Sequence, residues 1–123
     1  NGKPRWFNNP DPKKNKVRDA LLSMHFISKK AMETIKGERD DRLIKEHSIP
    51  IAEIFNILHL QTDHSRDQIR VSLEKFYRLG VLTKEEDLKL KKKKLNSKMP
   101  SGWTTGDGVF ARYDVIGIKN FRI

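Results

Sequence analysis

The sequence predicts a small α+β domain in which helices carry most of the core. Three stretches, 12–36, 50–58 and 65–79, place apolar residues three and four positions apart, which is the spacing of one helix face. A fourth stretch, 109–116, alternates in the manner of a strand with one buried face. The 123 residues suffice for one domain with a real core, but not for two.

The first eleven residues predict an N-terminal arm. Two prolines, a glycine and three asparagines among the first ten residues argue against regular structure. We expect Trp6 and Phe7 to dock on the domain and to tether the arm. Lys3 and Arg5 would then reach a phosphate or a minor groove of DNA.

A long helix is predicted over 12–36. Asp11 is a good N-cap, Pro12 is favoured at the first helical position, and Gly37 closes the run. A break near Ser28 would be compatible with this unusual length. The wide apolar stripe predicts contact with the core, or with the same helix of a second copy in a homodimer.

The next segment predicts a short helix, a strand and a second long helix. Alternating charges over 38–47 favour a solvated short helix. Ser48–Ile49 suits a short strand, and Pro50 opens a helix. The predicted buried face of that helix carries Ile51, Ile54, Phe55 and Leu58.

The helix over 65–79 has the clearest boundary signals. Ser65 is a good N-cap, and Gln68 three residues later completes a capping box. Gly80 stands where a left-handed C-terminal cap would lie, and an extended segment begins at Val81. The predicted buried face carries Ile69, Leu73, Phe76 and Leu79.

Two strands joined by a long basic loop are predicted for residues 83–118. Leu88 and Leu90 alternate with charged residues, and the loop holds four consecutive lysines and turn chemistry over 96–108. Trp103 is expected to anchor the loop on the domain, and stacking on a base is the alternative.

The helix after Ser65 resembles the recognition helix of winged helix-turn-helix proteins, the superfamily of multiple-antibiotic-resistance repressors and similar bacterial and phage regulators. The resemblance covers about residues 48–116. It implies helix, strand, helix, helix, strand, strand: a three-helix core with a small antiparallel β wing, here with a long N-terminal helix. It is carried by Ser65, Ile69, Leu73, Phe76, Leu79, Gly80 and Val81.

The implied organisation is an arm over 1–11 and one winged-helix domain over 12–123. Within that domain, 12–47 is the N-terminal helical part, 48–82 the helix-turn-helix and 83–118 the wing. The connection from Leu58 to Ser65 is longer than the 3–4-residue turn of the plain motif.

Charge points to a polyanionic partner. The net charge is +10, and the excess lies in residues 1–19 and 84–100. There is no cysteine, which excludes disulfides and thiolate zinc sites and permits an intracellular location, cytoplasmic or nucleoid-associated. No apolar run has transmembrane length, so no membrane partner is expected.

No enzyme, cofactor or metal site is predicted. The four histidines lack helical metalloprotease spacing, although His59, Asp63 and His64 could approach one ion, and no glycine-rich phosphate loop is present. Asp87-Leu88-Lys89 has the acid-x-lysine spacing of one nuclease superfamily, which leaves a metal-dependent nuclease as a remote alternative.

The leading hypothesis is a sequence-specific double-stranded DNA-binding protein, a transcriptional regulator. The resemblance places the Ser65 helix in the major groove and the lysine-rich wing on phosphates. The alternative is a protein- or RNA-interaction module of a larger replication or transcription assembly, which the acidic Asp67 and Glu74 favour. The predicted DNA-binding residues are Arg66, Gln68, Arg70, Val71, Lys75, Lys91, Lys92, Lys93, Lys94, Lys98, Lys3 and Arg5.

Overall fold

The computed structural model describes residues 12–118 and 121–123, and the side chains from residue 16 onward within them. The predicted α+β class is confirmed. The elements are α1 (Pro12–Leu22), β1 (Phe26–Ile27), α2 (Lys29–Lys36), β2 (Leu43–His47), α3 (Ile51–Leu60), α4 (Arg66–Phe76), β3 (Leu79–Thr83), α5 (Lys84–Lys92) and α6 (Ala111–Val115).

A three-stranded sheet of order β1-β3-β2 forms the centre of the fold. The β1 strand pairs with β3 in parallel, with Phe26 opposite Gly80. The β2 strand pairs with β3 in antiparallel fashion, with Lys45 opposite Val81. Strand β3 is therefore the central strand of the sheet, and it directly follows the helix predicted to read DNA.

Helices cover both faces of this sheet, because successive side chains of a strand point to opposite sides. Val81 packs on one side with residues of α1, β1 and α2, namely Leu21, Ile27, Ala31 and Ile35. Leu82 packs on the other side in a cluster with Phe26, Leu90, Leu95, Tyr113 and Ile118.

A third cluster lies between α3, α4 and the segment after α5. Its buried members are Ile49, Ile54, Ile57, Phe76 and Met99. Trp103 is half-buried against this cluster, and its Nε1 donates a hydrogen bond to the Gly108 carbonyl at 3.0 Å. The prediction that Trp103 anchors the loop is confirmed.

The helix predicted over 12–36 is not continuous, and the break that the sequence allowed near Ser28 is present between Leu22 and Lys29. Helix α1 ends at Leu22 because the following backbone joins the sheet: the His25 amide donates to the Leu79 carbonyl and the Ser28 amide to that of Val81. Ser28 then caps α2, and its Oγ accepts from the Ala31 amide at 3.1 Å. Much of the apolar stripe is thus buried within one chain, which removes the argument for a homodimer through helix 12–36.

The prediction of a charged helix over 38–47 and a strand at Ser48–Ile49 is wrong. Residues Leu43–His47 form strand β2, and Ser48 and Ile49 follow it. The alternating charges do not decide the structure here, because the backbone of this segment is paired with β3 along its whole length.

The two predicted wing strands over 83–118 are helical instead. Thr83 and Glu86 form a capping box at the start of α5, acidic residues fill its first turn, and lysines fill its last turn. This arrangement complements the helix dipole at both ends. The alternating segment near residue 113 forms α6, where Arg112 and Tyr113 are buried as neighbours rather than on opposite faces.

Gly80 is not a helix cap. Helix α4 ends at Phe76, Tyr77 caps it in an extended conformation, and Gly80 lies inside β3. A Cβ atom on Gly80 would lie 2.3 Å from ring carbons of Phe26. Glycine is needed here because an aromatic ring rests directly on the backbone.

Hydrogen bonds from Arg112 join α6 to the turn between β2 and α3. Its fully buried guanidinium donates to the carbonyls of His47 and Ser48 and, at 2.7 Å, to that of Leu95. Its Nη2 also lies 3.2 Å from Glu46 Oε1. Burial raises the pKa of the Glu46 carboxyl, and Arg112 opposes that rise.

Candidate nucleic-acid interface

Helix α3 is rotated relative to the prediction. Ile54 and Ile57 are its buried residues, because they pack against Phe76 and Met99. Ile51 and Phe55, predicted as buried, are 43% and 66% exposed. The predicted burial of Ile54 is confirmed, and Leu58 is half-buried at the edge of the same cluster.

The segment Gln61–Ser65 between α3 and α4 is held by side-chain hydrogen bonds. Gln61 Nε2 donates to Ser72 Oγ on α4, and a ring nitrogen of His64 lies 3.1 Å from the Leu58 carbonyl oxygen. Asp63 Oδ1 accepts from the Ser65 amide at 2.9 Å, and this bond lowers the pKa of the Asp63 carboxyl. The longer connection therefore has defined partners at both ends.

The start of α4 is the predicted one. Ser65 is the N-cap, and its Oγ accepts from the Gln68 amide at 3.3 Å. The second half of the predicted capping box is replaced, since the Ser65 amide donates to Asp63 instead. This cap places Arg66 at the first position of the helix, exposed to solvent.

The predicted buried face of α4 is confirmed only in part. Phe76 is buried and Ile69 is half-buried, but Leu73 is 36% exposed. Leu73 and Tyr77 line a cleft of about 570 Å³ with His25, Glu74 and Arg78. Leu79 is half-buried in β3 rather than on the helix.

Of the four residues on α4 predicted to read bases, Arg66, Arg70 and Val71 are exposed and Gln68 is half-buried. Lys75, predicted to contact phosphates, is exposed on the same helix. Arg70 lies 3.6 Å from Asp67 Oδ1 and 3.6 Å from Glu74 Oε1. The two acids therefore share the solvent face of α4 with Arg70 and partly neutralise it. Exposed ion pairs of this kind are weak, so water and salt compete with them.

The predicted phosphate-binding lysines lie at the end of α5 and in the turn after it, not in a wing loop. Lys91, Lys92, Lys93, Lys94 and Lys98 are all exposed. Lys91 Nζ lies 3.5 Å from Asp87 Oδ2, and Lys94 has a positive φ of 59°. Lys98 precedes Met99, which is buried in the cluster that contains Phe76. The lysine-rich segment thus leads onto the cluster that supports α4.

The remaining predicted contacts belong to the arm. Lys3, Arg5, Trp6, Phe7 and the cap Asp11 lie outside the described residues.

The residues named for a metal site or a nuclease site are not arranged as that chemistry requires. Across residues 12–118 and 121–123, no group of three or more His, Asp or Glu side chains could hold a metal ion. Asp87 and Lys89 lie on helix α5, where positions i and i+2 do not face each other. The Asp87 carboxylate is nearly buried and contacts Lys84 and Lys91, each within 3.6 Å.

The sequence did not predict the exposure of several apolar residues of α3. Ile51 and Phe55, one helical turn apart, are exposed on one side of this helix, and Leu60 is exposed at its C-terminal end. A signal in the sequence marks this region: residues 46–65 contain no lysine or arginine in a chain that has 26 of them.

Among the helices that the structure describes, none has the length and apolar character needed to cross a membrane. Comparison of the chain with protein-family models, with curated proteins and with solved structures finds no significant match in any of the three.

Proposed function

We propose that this protein binds double-stranded DNA and acts as a transcriptional regulator of the winged-helix type. The observation that carries the proposal is the segment α2–β2–α3–α4–β3, in which a capped helix that exposes Arg66 in its first turn packs against a second helix and is followed directly by a strand of the sheet. This order is the one that the sequence resemblance implies for the first five elements. The sixth element is helix α5 where that resemblance implies a strand.

Helix α4 is assigned to the major groove. Its two-turn N-terminal half carries Arg66, Gln68 and Val71, and the groove accepts one α-helix with such side chains against base edges. Arginine pairs with guanine, glutamine pairs with adenine, and a valine methyl suits the methyl group of thymine. Arg70 contributes only after it leaves Asp67 and Glu74.

The lysines of α5 and its following turn are assigned to phosphates. Lys92, Lys93 and Lys98 are exposed. Helix α5 packs on the sheet, whose central strand β3 directly follows α4. Contacts from such side chains position a protein on DNA and carry no sequence information. Reading and anchoring are therefore separate tasks of two helices.

A second candidate is a protein-interaction module. It is favoured by the exposed Asp67 and Glu74, which flank Arg70 on the reading face and repel phosphates. For DNA binding, this repulsion has to be outweighed by Arg66, Lys75 and the lysines of α5.

The test is selection of bound duplexes from a random pool, followed by affinity measurements on selected and scrambled duplexes at several salt concentrations. We expect Arg66→Ala and Gln68→Ala each to lose about 1–3 kcal/mol of binding free energy on the selected duplex. Each change should also relax the sequence preference of the protein. The Gln68→Ala change keeps the backbone amide that Ser65 accepts from.

Phosphate contacts have a separate control. Lys92→Gln with Lys93→Gln should weaken all duplexes similarly and flatten log K against log salt by about 0.9 per lost contact. Lys29→Gln with Lys36→Gln, an equal loss of exposed charge on α2, should change the slope less. If neither the α4 variants nor the α5 variants change binding, the interaction-module alternative replaces the proposal.

A further inference from the structure

A cleft lies between α3 and the loop after α5. The α3 residues that line it are three and four positions apart, as on one side of a helix: Glu53, Asn56, Ile57 and Leu60. Trp103 of the loop and Phe76 of α4 also line it. The volume of the cleft is about 380 Å³, which is within the range of small-molecule sites.

The charge of this cleft is opposite to that of the chain. The chain carries a net charge of +10, but Glu53 is the one charged residue among the described residues that line the cleft. Glu53 is half-buried, and its carboxylate has no ion-pair or hydrogen-bond partner within the described part of the chain. An unpaired carboxylate beside apolar walls favours a positively charged ligand.

Trp103 gives the cleft an aromatic wall. Its Nε1 already donates to the Gly108 carbonyl at 3.0 Å, so the indole offers a ligand its carbon surface and no free donor. A second recess, of about 280 Å³, also borders Trp103, and the charged residues among its described lining are Asp107 and Asp114. Both recesses beside Trp103 are therefore acidic, and tryptophan is the aromatic residue that attracts cations best.

The lining also indicates which kind of cation fits. A metal ion would find one carboxylate here, and no group of three or more His, Asp or Glu among the described residues could hold such an ion. A primary ammonium group is strongly hydrated and carries three N–H donors that need acceptors. An alkylated ammonium group is attracted to a carboxylate and to an aromatic face without such hydrogen bonds.

We propose that this cleft binds a small organic cation with an alkylated ammonium group, which lies between the Glu53 carboxylate and the Trp103 ring. Phe76 is assigned to the apolar part of the ligand, because the centroid of its ring already lies 5.2 Å from Lys75 Nζ. The Asn56 amide is available to a polar end of the ligand. The inference does not rest on DNA binding, since no residue assigned to bases or phosphates lines the cleft.

The experiment is a titration of the whole chain with choline chloride, followed through the backbone amides by heteronuclear NMR. We expect saturable shifts at cleft residues such as Asn56, Leu60 and Thr104. The neutral analogue of choline, with carbon in place of nitrogen, should bind at least about tenfold more weakly, because it lacks the attraction to Glu53 and Trp103. Equal binding of the analogue overturns the inference, as do shifts that sodium chloride reproduces at the same ionic strength.

Matched variants locate the binding site. Trp103→Leu should weaken choline binding by about tenfold. Because this change also removes the hydrogen bond to Gly108, Glu53→Lys is the second test: it reverses the charge of the cleft and should abolish binding. Glu33→Lys makes the same charge change at a half-buried acid of α2 outside the cleft and should keep the dissociation constant within about twofold. Equal weakening by the two lysine variants would contradict the site.

Two sources of the same chemical group are distinguished by a further arm of the experiment. Flotation with vesicles of phosphatidylcholine alone measures binding to a lipid headgroup that carries the alkylated ammonium group. Vesicle binding that Glu53→Lys abolishes would identify the headgroup as the source, and choline binding without vesicle binding would identify a free small molecule. A chain that binds neither overturns the inference, and the duplex selection described above tests DNA binding separately.

Discussion

The sheet layer, meaning β1–β3 with α2, α5 and α6, and the helical pair α3–α4 use their apolar residues in opposite ways. In the sheet layer the ring centroid of Phe26 lies 5.2 Å from that of Phe110, 5.6 Å from that of Tyr113 and 5.5 Å from that of Phe121. In the helical pair one small cluster is buried, and Phe55 remains in solvent. The sheet layer buries its aromatic residues within the chain and exposes only aliphatic ones such as Leu88 and Val115, whereas the helical pair exposes the aromatic Phe55.

Buried polar groups are hydrogen-bonded in the interior of the sheet layer and are less completely paired around the ends of α3. The guanidinium of Arg112 and the carboxylate of Glu86 each have several hydrogen-bond partners: Glu86 Oε1 accepts from Ser28 Oγ at 2.7 Å and from the Thr83 amide at 2.8 Å. Three buried side-chain atoms have no hydrogen-bond partner within the described part of the chain: Ser48 Oγ and Gln61 Oε1 at the two ends of α3, and His47 Nε2 at the end of β2. The ends of α3, together with the end of β2 beside it, are therefore expected to be less rigid than the interior of the sheet layer.

The largest expected effect is at the junction of the two regions. Arg112→Met removes the donor to the carbonyls of His47, Ser48 and Leu95 and leaves Glu46 without its cation. Breaking a buried pair from one side costs about 3–5 kcal/mol of unfolding free energy. Urea unfolding followed by circular dichroism measures this loss, and Arg42→Met at an exposed position should stay within about 0.5 kcal/mol of the wild type. A tolerated Arg112→Met change would mean that α6 is held by Tyr113 alone.

A pair of phenylalanines compares the two sides of the helical pair directly. Phe76 is 6% exposed and Phe55 is 66% exposed. Phe76→Ala should lower the free energy of unfolding by about 3–5 kcal/mol, because it empties the cluster between α3 and α4. Phe55→Ala should change it by less than about 0.5 kcal/mol in dilute, monomeric protein. Similar losses of unfolding free energy in the two variants would contradict the observed orientation of α3, in which Phe55 faces solvent.

Gly80 tests the packing of the sheet layer. Gly80→Ala pushes a Cβ atom into the ring of Phe26, and overpacking of this kind costs about 1–3 kcal/mol. Phe26→Leu is expected to be destabilising by itself. In its presence Gly80→Ala should cost less unfolding free energy than in the wild type, so a double-mutant cycle should give a favourable coupling. A cycle without coupling would contradict the close contact between position 80 and the Phe26 ring as the cause of the loss.

Gly80 also shows why the fold was only partly predictable. A glycine after an apolar helical run is a local signal for a cap, and local signals were sufficient where caps decide the structure, as at Ser65 and Pro50. The role of Gly80 depends on Phe26, which is 54 positions away in the chain. No periodicity in the sequence carries that information.

The same reason applies to the strands and to the site. Strand β1 has two residues and β2 carries alternating charges, so neither has a strand pattern of its own, and both are strands because β3 pairs with them. The exposed residues Arg66, Arg70, Val71 and Lys75 were predictable because the cap fixes where α4 begins. The exposure of Phe55 was not, because it depends on Met99 and Phe76 packing against the other side of α3.

A smaller effect is expected at the start of α4. Ser65→Ala removes the oxygen that accepts from the Gln68 amide and should cost about 1 kcal/mol of unfolding free energy. Ser65→Asp should recover most of this loss, because aspartate is an equally good N-cap. Thr62→Ala, in the same connection but outside the cap, is the matched control. An unchanged stability in Ser65→Ala would mean that Asp63 holds the start of the helix by itself.

The smallest expected effect is a pH dependence at His47, at the end of β2. Its ring packs edge-on against Tyr77 with the centroids 4.9 Å apart, its Nε2 is buried, and burial together with Arg112 lowers the pKa of the imidazole. Below the ordinary pKa of 6.5 the unfolded chain therefore binds more protons than the folded chain at this site, so stability falls as pH falls. Glu46 acts in the opposite sense, because its raised pKa favours the folded, protonated form in acid. Urea unfolding between pH 7.5 and 5.5 should show a smaller loss in His47→Gln than in the wild type, and an equal loss in both would place the pH-sensitive group elsewhere.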